Sequence, residues 1–302
     1  MPERHGSEPK AVLDGRVVVG HDCRVDPVIV VGVLAVGFAS GVLSGMFGVG
    51  GAVLTTPGLR VLGASPIEAI GSTLPAIIPG ALTGAWHYAR RGLVDWRVAL
   101  TCGAVGSATA VLGANASDAV NAHWLMLLTA AMLLWGGVRN LRPERAAVDE
   151  RELVAAGVAT PVRSGVTHLA AANWETPEER GSVGRIVAIG AGSGFVAGLL
   201  GIGGGVLMVP AFVGLLGLTP KRAVGSSLAA VAIFSVPAMV RHAQLGHISW
   251  GFAILLVIGV IPGARVGARF TLSGSDRRLQ LLMGLFFTLL AVGYGFGELR
   301  SL

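Results

Sequence analysis

Eight stretches of this chain are apolar for the length of a membrane crossing, and that pattern restricts its fold more than any other feature. A helix needs about 20 apolar residues to cross a hydrocarbon core about 30 Å thick. Stretches approaching that length lie at 28–47, 68–88, 95–114, 122–140, 185–201, 222–241, 249–270 and 279–297. Hydrophobic residues make up 53% of the 302 and charged residues 13%, against about 25% charged in soluble domains. Mean hydropathy is +0.70. The expected fold class is an all-α integral membrane protein with about eight transmembrane helices. Two further apolar stretches, 52–63 and 204–217, are too short to cross and contain Pro57 and Pro210. They read as re-entrant or broken segments, which must be buried in protein or line a wet cavity, the place where transporters bind substrate.

The net charge of +6 does not point to nucleic acid, because most of the arginines stand between apolar runs, where basic residues report topology. Arg4, Lys10, Arg16 and Arg24 precede the first span; Arg90, Arg91 and Arg97 surround the third connection; Arg142, Arg145, Arg151, Arg163, Arg180 and Arg185 occupy the centre. The expected organisation is a cytoplasmic tail (1–27), a first transmembrane repeat (28–142), a cytoplasmic linker rich in proline and acids (143–184) and a second repeat (185–302). Eight crossings place both termini in the cytoplasm of a multi-pass cell-membrane protein, but leave Lys221, Arg222, Arg277 and Arg278 on the opposite side. The first apolar run begins only at Val28, too late and too long for a cleaved signal peptide. Cys23 and Cys102 are the only cysteines and support neither a disulfide framework nor a metal site.

The two halves repeat. At a spacing of 153 residues, Gly41, Gly45, Gly48, Gly50, Gly51, Val53, Leu54 and Pro57 match Gly194, Gly198, Gly201, Gly203, Gly204, Val206, Leu207 and Pro210. After a one-residue insertion, Pro66, Gly71, Ser72, Leu74, Gly92, Trp96 and Gly113 match Pro220, Gly225, Ser226, Leu228, Gly246, Trp250 and Gly267 at 154. Four crossings per half would give the copies one orientation; an odd number would invert them.

Gly41 and Gly45, like Gly194 and Gly198, carry the spacing that lets helix backbones approach. The clusters Gly48, Gly50, Gly51 and Gly201, Gly203, Gly204 instead end an apolar helix and free backbone N–H groups, which can hold an anion. Ser65-Pro66-Ile67-Glu68 and Thr219-Pro220 read as helix starts. Hydroxyl pairs follow in both copies: Ser72 with Thr73 and Ser226 with Ser227. These are candidate substrate contacts, although hydroxyls in membrane helices also bond to backbone carbonyls. Arg265 and Arg269 lie one turn apart and could reach an anion pathway or the interface. His87, His242 and His247, near span ends on one side, are candidates for proton coupling. Trp86, Trp96, Trp124 and Trp250 fit an interfacial belt. Neither glycine cluster fits a nucleotide-binding loop, and no cofactor or metal is expected.

The repeated Gly-Val-Gly-Gly and Gly-Ile-Gly-Gly-Gly breaks, the prolines after them, Ala-Ile-Gly-Ser-Thr-Leu at 69–74, Ala-Val-Gly-Ser-Ser-Leu at 223–228 and Gly267-Ala268-Arg269 together resemble the TauE/SafE sulfite exporter family. The resemblance covers both halves, with Ala52 interrupting the first glycine run and Asn115 standing where the second copy has Arg269. It implies a permease moving small sulfur-containing anions such as sulfite or sulfonates without ATP. The expected partners are therefore a small anion and the lipid bilayer, with no nucleic acid; a proton is the candidate coupling ion, and the sequence does not assign one. An intramembrane enzyme would need a nucleophile and base at matched depth. Ser65 is better explained as a cap, so no enzyme is expected; a passive anion channel is the nearer rival.

Overall fold

The computed structural model describes residues 27–117, 122–141, 179–201 and 203–299. The tail with Cys23, Arg300 and the linker over 142–178 lie outside the described residues, as does the Trp124 side chain. Among the described residues there are ten helices and no strand: α1 Pro27–Phe47, α2 Ala52–Val61, α3 Pro66–Ala89, α4 Trp96–Ser117, α5 Ala122–Leu141, α6 Glu179–Leu200, α7 Gly205–Leu216, α8 Pro220–Gln244, α9 Trp250–Ser273 and α10 Asp276–Leu299. Each long apolar stretch falls in a helix of 20 to 25 residues, and the two short stretches form the 10-residue α2 and the 12-residue α7. Helix α6 starts at Glu179, before the expected boundary at 185, because a helix continues into polar residues beyond its apolar span. By length and composition, α1, α4, α6 from Val183, α8 and α9 can each cross a membrane.

Local signals account for the helix starts. At α3 the Ser65 N–H donates to the Glu68 carboxylate at 3.0 Å while the Glu68 N–H donates back to Ser65 Oγ, with proline at the first helical position. Thr219 occupies the same place at α8, but its side chain makes no capping bond. Packing then rests on small residues. A methyl group on Gly41 or Gly45 of α1 would lie 2.3 Å from a carbonyl oxygen of α9, and one on Gly198 of α6 would lie 1.9 Å from Ala110 O of α4. The first helix of each copy thus packs on the fourth helix of the other. Glycine allows this closeness, since any Cβ would enter the facing backbone.

The copies do not share one orientation. At one end Gly71 of α3 meets the His247 carbonyl beyond α8; at the other Gly225 of α8 meets Tyr88 and the Leu93 carbonyl. Between them Ile77 and Val231 flank the same glycine. Helices α3 and α8 are therefore antiparallel, where four crossings per half would have made them parallel. The cause lies in α2, which turns back along α1: Gly51 lies against Ser40 and Ser44, Gly58 against Val36, and Gly32 against Leu62. Helices α1 and α2 form a hairpin that leaves from the end at which it entered. At the end shared by the α3–α4, α7–α8 and α9–α10 connections, Arg91 Nη1 donates to Leu272 O at 3.3 Å and Lys221 Nζ to Gly274 O at 2.7 Å.

Candidate functional site

The two glycine breaks meet at the middle of the molecule. Gly48, Gly50, Gly51, Gly201, Gly203 and Gly204 all have positive φ, from 62° to 84°, a region that costs an L-residue with a side chain about 1–2 kcal/mol. This conformation lets α1 end and α2 start within four residues, and α6 and α7 likewise. A methyl group on Gly50 would lie 3.2 Å from both Ile77 and Val231 and 3.7 Å from Gly203 Cα, and one on Gly205 would lie 2.2 Å from Gly48 O. Ile77 and Val231 are the same position in the two copies, so the breaks touch along the line relating the repeats.

Neither α2 nor α7 has a side-chain cap; their N-caps are the left-handed Gly51 and Gly204. Two helix N-termini without side-chain caps therefore stand beside each other, and such termini attract anions. Ile77 and Val231 flank Gly50 and Gly203, whereas Gly48 lies against the Ser227 hydroxyl and Gly51 against that of Ser40.

The hydroxyl pairs hold the breaks across the repeat. Thr73 Oγ1 donates to Gly201 O at 3.2 Å, and Ser227 Oγ donates to Gly48 O at 3.0 Å. Each also reaches a carbonyl of its own helix, Ile70 and Val224 respectively. Ser72 Oγ accepts from the Ser249 N–H at 2.8 Å, and Ser226 Oγ from the Asp95 N–H at the same distance. These are the residues just before α9 and α4. All four hydroxyls are fully buried. A third pairing of this kind is not apparent in the sequence: Tyr88 OH donates to Gly45 O at 3.0 Å, and His242 Nε2 lies 3.0 Å from Gly198 O. Tyr88 and His242 are 154 residues apart, so the register was visible; their dissimilar chemistry concealed the equivalence.

Arg269 stands apart from the breaks. Helix α9 turns Gly263, Ala264, Gly267 and Ala268 inward, leaving Arg265 and Arg269 exposed. The histidines do not cluster either. His242, in the last turn of α8, and His247, just beyond it, face each other with Nδ1 atoms 3.1 Å apart, whereas His87 sits at the C-terminal end of the antiparallel α3 and bonds to Thr83 O. Trp86, Trp96 and Trp250 are exposed near helix ends, with the Arg90 guanidinium 5.1 Å from the centre of the Trp86 ring. Among the described residues no three His, Cys, Asp or Glu side chains gather as a metal site.

The family described as "Sulfite exporter TauE/SafE" matches residues 33–294. A "Probable membrane transporter protein" of Xylella fastidiosa is 32% identical over 263 residues, covering 85% of this chain and 90% of that one. "Probable membrane transporter protein YunE" of Bacillus subtilis is 26% identical, with 85% and 94% covered. "Probable membrane transporter protein MJ0441" of Methanocaldococcus jannaschii is 20% identical over the same shares. No solved structure matches the chain. An all-helical chain with several membrane-length helices and relatives of this kind is a membrane transporter. Its family follows from the match over most of its length: the chain belongs to the sulfite exporter TauE/SafE family.

Proposed function

We propose that this protein exports a small sulfur-containing anion, such as sulfite or a sulfonate, by alternating access around the two glycine breaks. One observation carries the reading: two uncapped helix N-termini meet halfway along α3 and α8. An anion there exchanges its water shell for N–H donors, and burial without such donors is prohibitive. Gly48, Gly50, Gly51, Gly201, Gly203 and Gly204 form the site, and Thr73 and Ser227, backed by Ser72 and Ser226, fix its shape.

The antiparallel copies give a transmembrane arrangement of six crossings, α3 to α5 and α8 to α10, with hairpins α1–α2 and α6–α7 entering from opposite faces. This replaces the eight crossings expected from apolar length. It also draws Arg90, Arg91, Lys221, Arg222, Arg277 and Arg278 to one face. The positive-inside rule makes that face cytoplasmic, which puts both termini outside. In this reading α1–α2 enters from outside and α6–α7 from the cytoplasm, so rocking one copy against the other opens the breaks to each side in turn.

An inside-negative potential favours anion export by about 2.3 kcal/mol per charge per 100 mV, enough to drive the movement without a nucleotide. Sulfite flux through proteoliposomes under an imposed potassium-diffusion potential tests this. Efflux that accelerates as the interior becomes negative is expected; flux indifferent to both voltage and a pH gradient would remove the energetic account.

A further inference from the structure

The backbone at the ends of α3 and α8 is duplicated, but its chemistry is not. In the first copy the Leu93 N–H donates to Tyr88 O at 3.1 Å, and in the second the His247 N–H donates to His242 O at 3.0 Å. Gly92 and Gly246 take positive φ at the same place in each. Tyr88 OH reaches Gly45 O, one turn before the first break, as His242 Nε2 reaches Gly198 O, one turn before the second. Where the first copy has a phenol and the aliphatic Leu93, the second has two imidazoles with Nδ1 atoms 3.1 Å apart. A phenol titrates far above neutral pH and an imidazole near it. At this position, therefore, only the end where α8 finishes can take up a proton, and the arrangement proposed above makes that end the outer one.

The hydrogen bonds fix which nitrogens carry hydrogen. A carbonyl only accepts, so His242 Nε2 donates to Gly198 O, and in the neutral ring His242 Nδ1 accepts from His247 Nδ1–H. His242 is fully buried, whereas His247 is partly exposed and is the ring that water can reach. We propose that the two rings form a binding site for one proton, taken up at His247 and held on His242. The incoming proton bonds to His247 Nε2, the hydrogen on His247 Nδ1 crosses to His242 Nδ1, and the added charge comes to rest on His242. A second proton would put two hydrogens between the facing nitrogens, so the pair holds one. The charged groups of the surrounding elements have other partners or stand elsewhere. Arg241 of α8 donates to Asn115 Oδ1 of α4 and to Gln244 Oε1. Glu68, one turn before the Gly71 that packs on His247, accepts from the Ser65 N–H, and Arg60 is in the last turn of α2. The charges of α6, up to Arg185, and of α9, from Arg265 on, lie towards the opposite ends of those helices. A charge-assisted bond is about twice as strong as a neutral one, so a proton on His242 tightens its hold on Gly198 O. The consequence for transport rests on the function proposed above: the tip of the α6–α7 hairpin is held more firmly on α8, and acid on the outer side slows exchange through the breaks.

The test follows both the rings and the flux. In protein with histidine labelled isotopically at the ring nitrogens, the magnetic resonances of His242 and His247 should shift together as the pH falls from about 8 to about 6. In H247L, which installs the residue of the first copy at a partly exposed position, those of His242 should stay where they are. Sulfite exchange by the parent in proteoliposomes should slow severalfold when the side on which α8 ends is taken through the same range, and H247L and H242Q should lose that response. Sulfite's own ionisation is common to all three proteins and cancels in the ratio. H87N, altered at the opposite end, should respond as the parent does. His242 ring nitrogens that do not change in the parent, or a pH response of flux that H247L keeps in full, would overturn the assignment. Rings that titrate together in a parent that carries no sulfur oxyanion would uphold the proton site and remove the function proposed for the breaks.

Discussion

A polar side chain in a membrane-length helix gains by finding a partner, and at the glycine breaks that partner is the other copy's backbone. Thr73 reaches Gly201 O across a sequence separation of 128, and Ser227 reaches Gly48 O across 179. Hydrogen bonds of this kind in membrane helices contribute about 0.6–2 kcal/mol. Thr73→Val and Ser227→Ala should therefore each lower stability by about 1 kcal/mol, read as a fall in the melting temperature of the detergent-solubilised protein. The double variant should lose about the sum if the two breaks are independent, and depart from it if they move as one unit. These hydroxyls were legible in the sequence because they stand out in apolar helices and recur in the repeat. Their partners were not, since a carbonyl carries no residue identity and its position depends on how the copies pack.

At the scale of helices, apolar length and glycine spacing carried most of the information. The long stretches coincide with long helices, and the proline-containing short ones with α2 and α7. The direction of α2 was not legible, because length distinguishes a crossing from a shorter segment but does not say where the chain emerges. Contacts of Gly32, Gly51 and Gly58 fix it as the returning arm of a hairpin. Helix spacing is equally dependent on glycine. Gly198→Ala would drive a methyl group into Ala110 O, 1.9 Å away, and overpacking of this kind costs about 1–3 kcal/mol. Gly251→Ala, whose added methyl group meets nothing within 4 Å, should be neutral or gain about 0.5–1 kcal/mol from helix propensity. Thermal unfolding of the pair separates steric contact from a general intolerance of alanine.

For the whole molecule, helix direction decides which charges share an end: the inverted arrangement gathers Lys221, Arg222, Arg277 and Arg278 with Arg90 and Arg91 and leaves Arg60 and Arg241 at the other end. Lys221, Arg222, Arg277 and Arg278 conflicted with the basic linker while the copies were read as parallel. With α3 and α8 antiparallel they join Arg90 and Arg91 at one end, where Lys221 bonds to Gly274 O and Arg91 to Leu272 O. Parity was the missing quantity, and no local pattern supplies it. Reporter fusions should place residue 160 in the cytoplasm and the C-terminus outside; a cytoplasmic C-terminus with a cytoplasmic linker would require the parallel arrangement. The central claim, that the two breaks carry a sulfur anion as an alternating-access site, is tested most directly by counterflow of radiolabelled sulfite into proteoliposomes loaded with unlabelled sulfite, sulfate or a small sulfonate. Transient accumulation of label driven by a sulfur anion on the far side is predicted, and its loss in Gly50→Ala would tie the exchange to the breaks. Label that merely equilibrates, whatever is loaded inside, would contradict the account by making the protein a channel, and no entry at all into vesicles holding folded protein would remove sulfite as a substrate.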